Sequence, residues 1–263
     1  MLYAVPSAER MSSLAREQTK IAARQCNSAT PTDDAEKAVR ASGLFCRAHR
    51  DAISVWLKRM RPALFAAGSV VFAQGERGGA LFVIVSGKVK ETYRHTDGRE
   101  AVLNILGPSE VFGVLTPFDN LPRTVTATAL TEVRAVAIDR RQLLAWTVVC
   151  PEVIHQVMRL MARRVDVVTD CLVDFMCPDP TYRIARRLLV LAKRFGRRHA
   201  DGVQVGHDMT LAELASFSGV DEHTAAVTLR DFKADGWIRI VDGEVLIVDA
   251  HGLAQVCAEV GCG

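Results

Sequence analysis

Between Phe112 and Thr124 the chain reads Phe-Gly-Val-Leu-Thr-Pro-Phe-Asp-Asn-Leu-Pro-Arg-Thr, a set of residue types suited to holding one anionic group. Gly113 permits a tight turn, the amides after it are free to point outward at a short helix start, and Arg123 brings a guanidinium fork back to the same place. Such a pocket reads a ligand and transfers nothing. No Ser/His/Asp arrangement, Walker motif or paired-carboxylate site emerges elsewhere, so the expectation is a binding protein and not an enzyme.

The seven cysteines, Cys26, Cys46, Cys150, Cys171, Cys177, Cys257 and Cys262, are irregularly spaced and form no C-x-x-C pair. That argues against structural zinc and a thioredoxin-type motif. The seven histidines make no H-E-x-x-H cluster, and no metal site is expected. Cys150 precedes a long helix while Cys171 and Cys177 lie on or near it, so oxidation there is an alternative route of regulation.

The 263 residues are enough for two domains, and 24% charged residues with a net charge of +3 suit a globular protein able to meet nucleic acid. No apolar run is long enough for a transmembrane helix, and the N-terminus lacks a signal-peptide pattern. A cytoplasmic protein without membrane contact is expected.

The elements that must position the pocket follow from periodicity. Residues 1–36 read as a flexible extension, with a transient helix around Ser13–Arg24. Apolar residues at helical spacing (Val39, Leu44, Phe45, Ile53, Trp56, Leu57) suggest short helices up to Arg61. Ser69–Gln74, Leu81–Ser86, Val89–His95, Ala101–Leu106, Thr124–Leu130 and Val133–Ile138 are short β runs separated by glycine turns, as in an antiparallel roll, so 37–150 form a sensory domain.

From Pro151 a helix runs to about Phe175, with Ile154, Val157, Met161, Val165, Val168, Leu172 and Phe175 three or four residues apart. This predicts a dimerisation helix over 151–177, ended by Cys177-Pro178-Asp179-Pro180. Residues 178–263 then read as a basic helix (Tyr182–Phe195) and two short helices (Thr210–Phe217, Asp221–Phe232) around Ser218-Gly219-Val220. Two wing strands (Trp237–Ile240, Val245–Val248) follow, making a winged helix-turn-helix.

The order of elements resembles the cyclic AMP receptor protein (CRP/FNR) family of bacterial transcription regulators, in particular its actinobacterial members. The resemblance rests on Phe112-Gly113 with Arg123-Thr124, on Met161-Ala162-Arg163-Arg164, on Arg194-Phe195-Gly196 and on Met209–Phe232. It implies an α+β chain: a cyclic-nucleotide-binding-type β-roll, a long dimer helix and a winged helix-turn-helix. It further implies a homodimer that places paired recognition helices about 34 Å apart on double-stranded operator DNA, with RNA polymerase as a further partner. The implied ligand residues are Gly113, Val114, Leu115, Arg123, Thr124 and Thr169. The implied DNA-facing residues are Thr210, Asp221, Glu222, His223, Thr224, Val227 and Arg230.

The chain departs from that pattern in three places. Where cyclic AMP-binding members carry a glutamate for the ribose hydroxyl, Val114 stands, and losing a charged acceptor costs about 1.5–3 kcal/mol. Cyclic AMP is therefore expected as a weak effector or none. Ser109 replaces a usual glycine in the turn before the pocket. In the recognition helix Glu222, His223 and Val227 suit cytosine, purine and thymine-methyl contacts, without an arginine for guanine. Acids outnumber bases from Asp221 to Asp235, so phosphate affinity falls to the acid-free run Arg183, Arg186, Arg187, Lys193, Arg194, Arg197 and Arg198.

Overall fold

A computed structural model describes residues 33–44, 57–114, 121–206, 208–241 and 243–260. Residues 1–32, with the expected Ser13–Arg24 helix and Cys26, lie outside the described residues, as do Phe45, Cys46, Ile53, Trp56, Leu115 and Cys262. Two compact units divide the chain, and the boundary falls between Arg163 and Arg164 inside one helix, not at either end of it.

Among the described residues, the first element of the N-terminal unit is helix α1 (Asp33–Ala41), whose Ala35, Ala38 and Val39 are buried, so residues 33–36, expected within the extension, are helical. Among the described residues it then has eight strands: β1 (Arg61–Phe65), β2 (Val70–Phe72), β3 (Ala80–Ser86), β4 (Val89–Arg94), β5 (Glu100–Leu106), β6 (Val111–Phe112), β7 (Thr126–Ala129) and β8 (Val133–Asp139). They form two antiparallel sheets, β1-β8-β3-β6 and β2-β7-β4-β5, the expected roll.

Alternation along the strands sorts side chains onto two cores. Phe65, Phe72, Ile84, Val89, Leu106, Phe112, Ala127 and Ala129 form one cluster, where Phe72, Phe82 and Phe112 stack with centroids 5.1–6.3 Å apart. Leu81, Val83, Val111, Val136 and Ile138 form the other, beneath α1, helix α2 (Arg140–Val149) and the start of helix α3 (Glu152–Met176). Asp139 starts α2 with a capping box to Gln142.

In the C-terminal unit, α4 (Pro180–Phe195) is capped by Asp179, so Pro180 begins a helix as well as preventing the previous one from continuing. A hairpin absent from the sequence reading follows, β9 (Gly196–His199) and β10 (Gly202–Val205), then α5 (Leu211–Ser218) and α6 (Glu222–Ala234). β11 (Ile238–Val241) and β12 (Glu244–Ile247) form the expected wing and join the new hairpin in one sheet, β11-β12-β10-β9. Helix α7 (Ala250–Val260), also unforeseen, completes the unit. No helix among the described residues is long and apolar enough to cross a membrane.

Candidate functional site

Arg123 is only 5% exposed, and three features fix it. Its backbone is clamped to the β2–β3 loop: Arg123 N–H donates to Glu76 O at 2.9 Å, and Gly75 N–H donates to Arg123 O at 2.8 Å. Its Nη1 donates to Gly113 O at 2.9 Å and its Nη2 to Ala80 O at 2.5 Å. The guanidinium lies 4.1 Å from the Phe72 ring centroid, a desolvated cation–π contact. Burial pushes its pKa down to about 10, against the opposing pull of Glu76 and Glu91. Gly113 has φ +71, and a Cβ there would stand 2.7 Å from Nη1. Its lack of a side chain therefore makes room for the guanidinium as well as for the turn.

Val114 does not share these surroundings. It is 1% exposed and belongs to the helix-covered cluster with Val111, Ile138, Trp146 and Val157. Phe112 faces the roll interior while Val111 and Val114 face the helices, as the cluster memberships show. The sequence reading put Val114 among the ligand residues; its side chain is a core residue. Thr124 is exposed, and Thr169 is exposed on the part of α3 that belongs to the C-terminal unit.

Glu76 and Glu91, the carboxylates whose charges act on Arg123, are not among the residues that the sequence singles out. Glu91 is 7% exposed on β4, opposite Ala127 of β7. The signal was present, since Glu91 shares strand parity with buried Val89.

The predicted seam of α3 is two faces superposed. Val153 and Val157 are buried in the N-terminal unit, and Leu160 and Met161 pack against the same cluster. Ile154, Met158, Val165, Val168 and Leu172 are 44–66% exposed. The apolar stripe therefore drops Val157, partly withdraws Met161 and adds Met158, because the helix has to serve its own roll first. At its end Phe175 leans on Gly219, where a Cβ would come within 2.7 Å of Cδ1 and closer still to Cε1.

The basic run is likewise not a single phosphate-facing surface. Arg187 is 4% exposed and pairs with buried Asp174 at 3.5 Å. It donates to Cys171 Sγ at 3.3 Å and lies 4.9 Å from the Phe217 centroid. Arg186 also reaches Asp174 at 3.5 Å, and Arg183 donates to Cys177 O at 3.1 Å. These three arginines secure the α3–α4 junction. Lys193, Arg194, Arg197 and Arg198 stay exposed.

In the helix-turn-helix, Thr210 caps α5 in a reciprocal box with Glu213, and Gly219 ends that helix in the left-handed region at φ +66. Asp221 caps α6 by accepting from Thr224 N–H at 2.9 Å and from the Thr224 hydroxyl at 2.6 Å. Asp221 and Thr224 thus shape the helix start. Glu222, His223, Ala226 and Arg230 are exposed on it, and Val227 is half-buried.

Of the thiols, Cys150 donates to Glu152 Oε2 at 3.2 Å. Burial and then Glu152 push its pKa up, which disfavours the reactive thiolate. Burial also raises Cys257.

The description of the cyclic nucleotide-binding domain matches residues 63–147, and that of the Crp-like helix-turn-helix domain matches residues 182–256. A CRP-like cAMP-activated global transcriptional regulator of Mycobacterium tuberculosis is 42% identical over 214 residues, which cover 81% of this chain and 96% of that protein. The cyclic AMP receptor protein of Thermus thermophilus is 28% identical, over 83% of this chain and 98% of its own length. The solved structure of FixK2 from Bradyrhizobium japonicum superposes with a TM-score of 0.68 at 15% identity, over 75% of this chain and 96% of that one, a likeness of fold. The chain belongs to the CRP/FNR family of DNA-binding transcription regulators that carry a cyclic nucleotide-binding domain.

Proposed function

We propose that the protein is a dimeric, sequence-specific regulator whose roll reads a small anionic effector at Arg123, with a weaker response to cyclic AMP than its cAMP-activated mycobacterial relative. The observation that carries this reading is the buried Arg123 guanidinium beside Gly113, in a domain joined by α3 to a helix-turn-helix. Val114 offers no hydrogen-bond acceptor and is committed to the apolar core, so a ribose hydroxyl gains nothing from it.

Dimerisation is assigned to the exposed stripe Ile154, Met158, Val165, Val168 and Leu172, which a second α3 would cover as in a parallel coiled coil. DNA readout is assigned to Glu222, His223, Ala226 and Arg230, with Lys193, Arg194, Arg197 and Arg198 available to phosphates.

Two measurements test this. Calorimetry should show weak cyclic AMP binding that Arg123→Gln abolishes. A salt-titrated gel shift on genomic fragments should show specific retention that falls steeply with salt. Absence of any specific complex at moderate salt would remove the regulator reading, and an unchanged isotherm for Arg123→Gln would remove the pocket.

A further inference from the structure

Cross-strand register places Phe72 of β2, Ala127 of β7, Glu91 of β4 and Asn104 of β5 in one row across a sheet. Phe72 and Ala127 belong to the roll-interior cluster. Directly opposed residues project to the same side of a sheet, so Glu91 and Asn104 extend the row on that face. Arg123 sits over the Phe72 end. Glu91 is two strands away, roughly 10 Å at ordinary strand spacing, and the residue between them is the small Ala127. Glu91 is a carboxylate only 7% exposed on this largely apolar face. Its pull on the Arg123 charge is felt across this gap.

We infer that Glu91 is the specificity-determining residue of the Arg123 pocket, accepting a hydrogen bond from a hydroxyl or amino group carried by the ligand on the side away from its phosphate. The inference rests on the effector reading above and deepens it. The ligand class is a compact phosphodiester with O–H or N–H donors: its anion meets Arg123 and its donor meets the β4 carboxylate, with the Asn104 amide beside it. The acceptor that Val114 cannot provide thus comes from the opposite sheet, and a ligand is selected by where its donor points. A carboxylate accepts and never donates, so groups presenting only acceptors to β4 are rejected.

The test is calorimetry on the full chain with cyclic AMP and cyclic GMP as probes, for wild type, Glu91→Gln, Glu91→Val and Arg123→Gln. Affinities are compared among variants that melt cooperatively without ligand. The expected result is that both Glu91 variants weaken the tighter probe by about ten-fold or more and change the ratio of the two affinities, which a general loss of packing would leave alone. If Glu91→Gln and Glu91→Val bind both probes as well as wild type or better, while Arg123→Gln still abolishes binding, the assignment of Glu91 falls and the pocket at Arg123 stands. If neither probe binds wild type or any Glu91 variant, the effector reading falls and the assignment of Glu91 falls with it.

Discussion

The ring of Phe175, near the end of α3, rests against the α-carbon of Gly219, the turn of the helix-turn-helix. Gly219 therefore meets two demands at once. Its φ of +66 closes α5 in the left-handed region, and its missing side chain admits the ring. Gly219→Ala is expected to violate both, with a loss of about 2 kcal/mol or more in urea unfolding. Gly219→Ala combined with Phe175→Ala should recover part of that loss. Full additivity of the two changes would mean that ring and turn are not coupled.

The junction beside this contact depends on a buried ion pair. Asp174 and Arg187 are 5% and 4% exposed, and Tyr182 Oη also donates to Asp174, at 3.2 Å. Removing one charge strands the other, so Asp174→Asn should cost about 3–5 kcal/mol. Asp174→Leu with Arg187→Met should be far milder, because no buried charge remains. Equal losses for the single and double variants, read from urea midpoints, would show that the pair carries no such penalty.

Ser109 occupies a backbone conformation that suits glycine, with φ +67, while its N–H donates to Ile84 O at 2.8 Å. Holding a residue with a Cβ in that region costs about 1–2 kcal/mol. Ser109→Gly keeps the hydrogen bond and relieves the strain, offset in part by the greater freedom of glycine in the unfolded chain. A net gain of about 0.5–1 kcal/mol is expected, seen as a melting temperature raised by a few degrees. A lower melting temperature would show that the serine side chain stabilises the turn.

Much of the architecture was legible because it depends on local signals. Glycine turns and period-two runs gave the roll, and Asp221 and Gly219 marked the helix-turn-helix at the residues where its caps are found. What escaped depends on contacts between distant segments. Helical spacing cannot tell the face of α3 that covers its own roll from the face left exposed, so Val157 and Met158 were exchanged. The run of arginines on α4 reads as a solvated surface until Asp174 is brought beside it. The Gly196–Val205 hairpin is short and half arginine at its start, and its β partner β12 lies some forty residues on. Glu91 needed the pairing of β4 with β7 before it could be associated with Arg123.

Val114 offers a direct comparison of the sequence reading with the fold. A glutamate at this position would restore the ribose acceptor that the resemblance implies. Val114 belongs to the same buried apolar cluster as Val111, Ile138, Leu143, Trp146 and Val157, and an ionised carboxylate held in that cluster would lack compensation. In the ligand-free protein Val114→Glu should cost at least about 3 kcal/mol, more than Val114→Ala, which only opens a small cavity. Equal denaturation midpoints for the two variants would mean that the glutamate turns out of the core toward the pocket, and cyclic AMP binding should then tighten.

The Asp221 cap gives the C-terminal unit a signature at acid pH. The Thr224 hydroxyl first, and the Thr224 backbone N–H second, hold the Asp221 carboxyl below its ordinary value of 3.8. The unfolded chain therefore takes up this proton before the folded one as pH falls. The stabilisation is fully present above about pH 3.8 and is lost as pH drops through the lower folded-state value. Asp97 and Asp201 are also held low, by Arg99 and by Arg239, so the wild-type slope is a sum of contributions. The contribution of Asp221 is isolated by subtracting the profile of Asp221→Asn, which can still cap but does not titrate. Urea unfolding between pH 2.5 and 6 should give two curves that converge at the acid end and separate above it, with wild type the more stable. Parallel curves throughout would mean that Asp221 has the same proton affinity folded and unfolded, and that its bonds to Thr224 do not distinguish the two states.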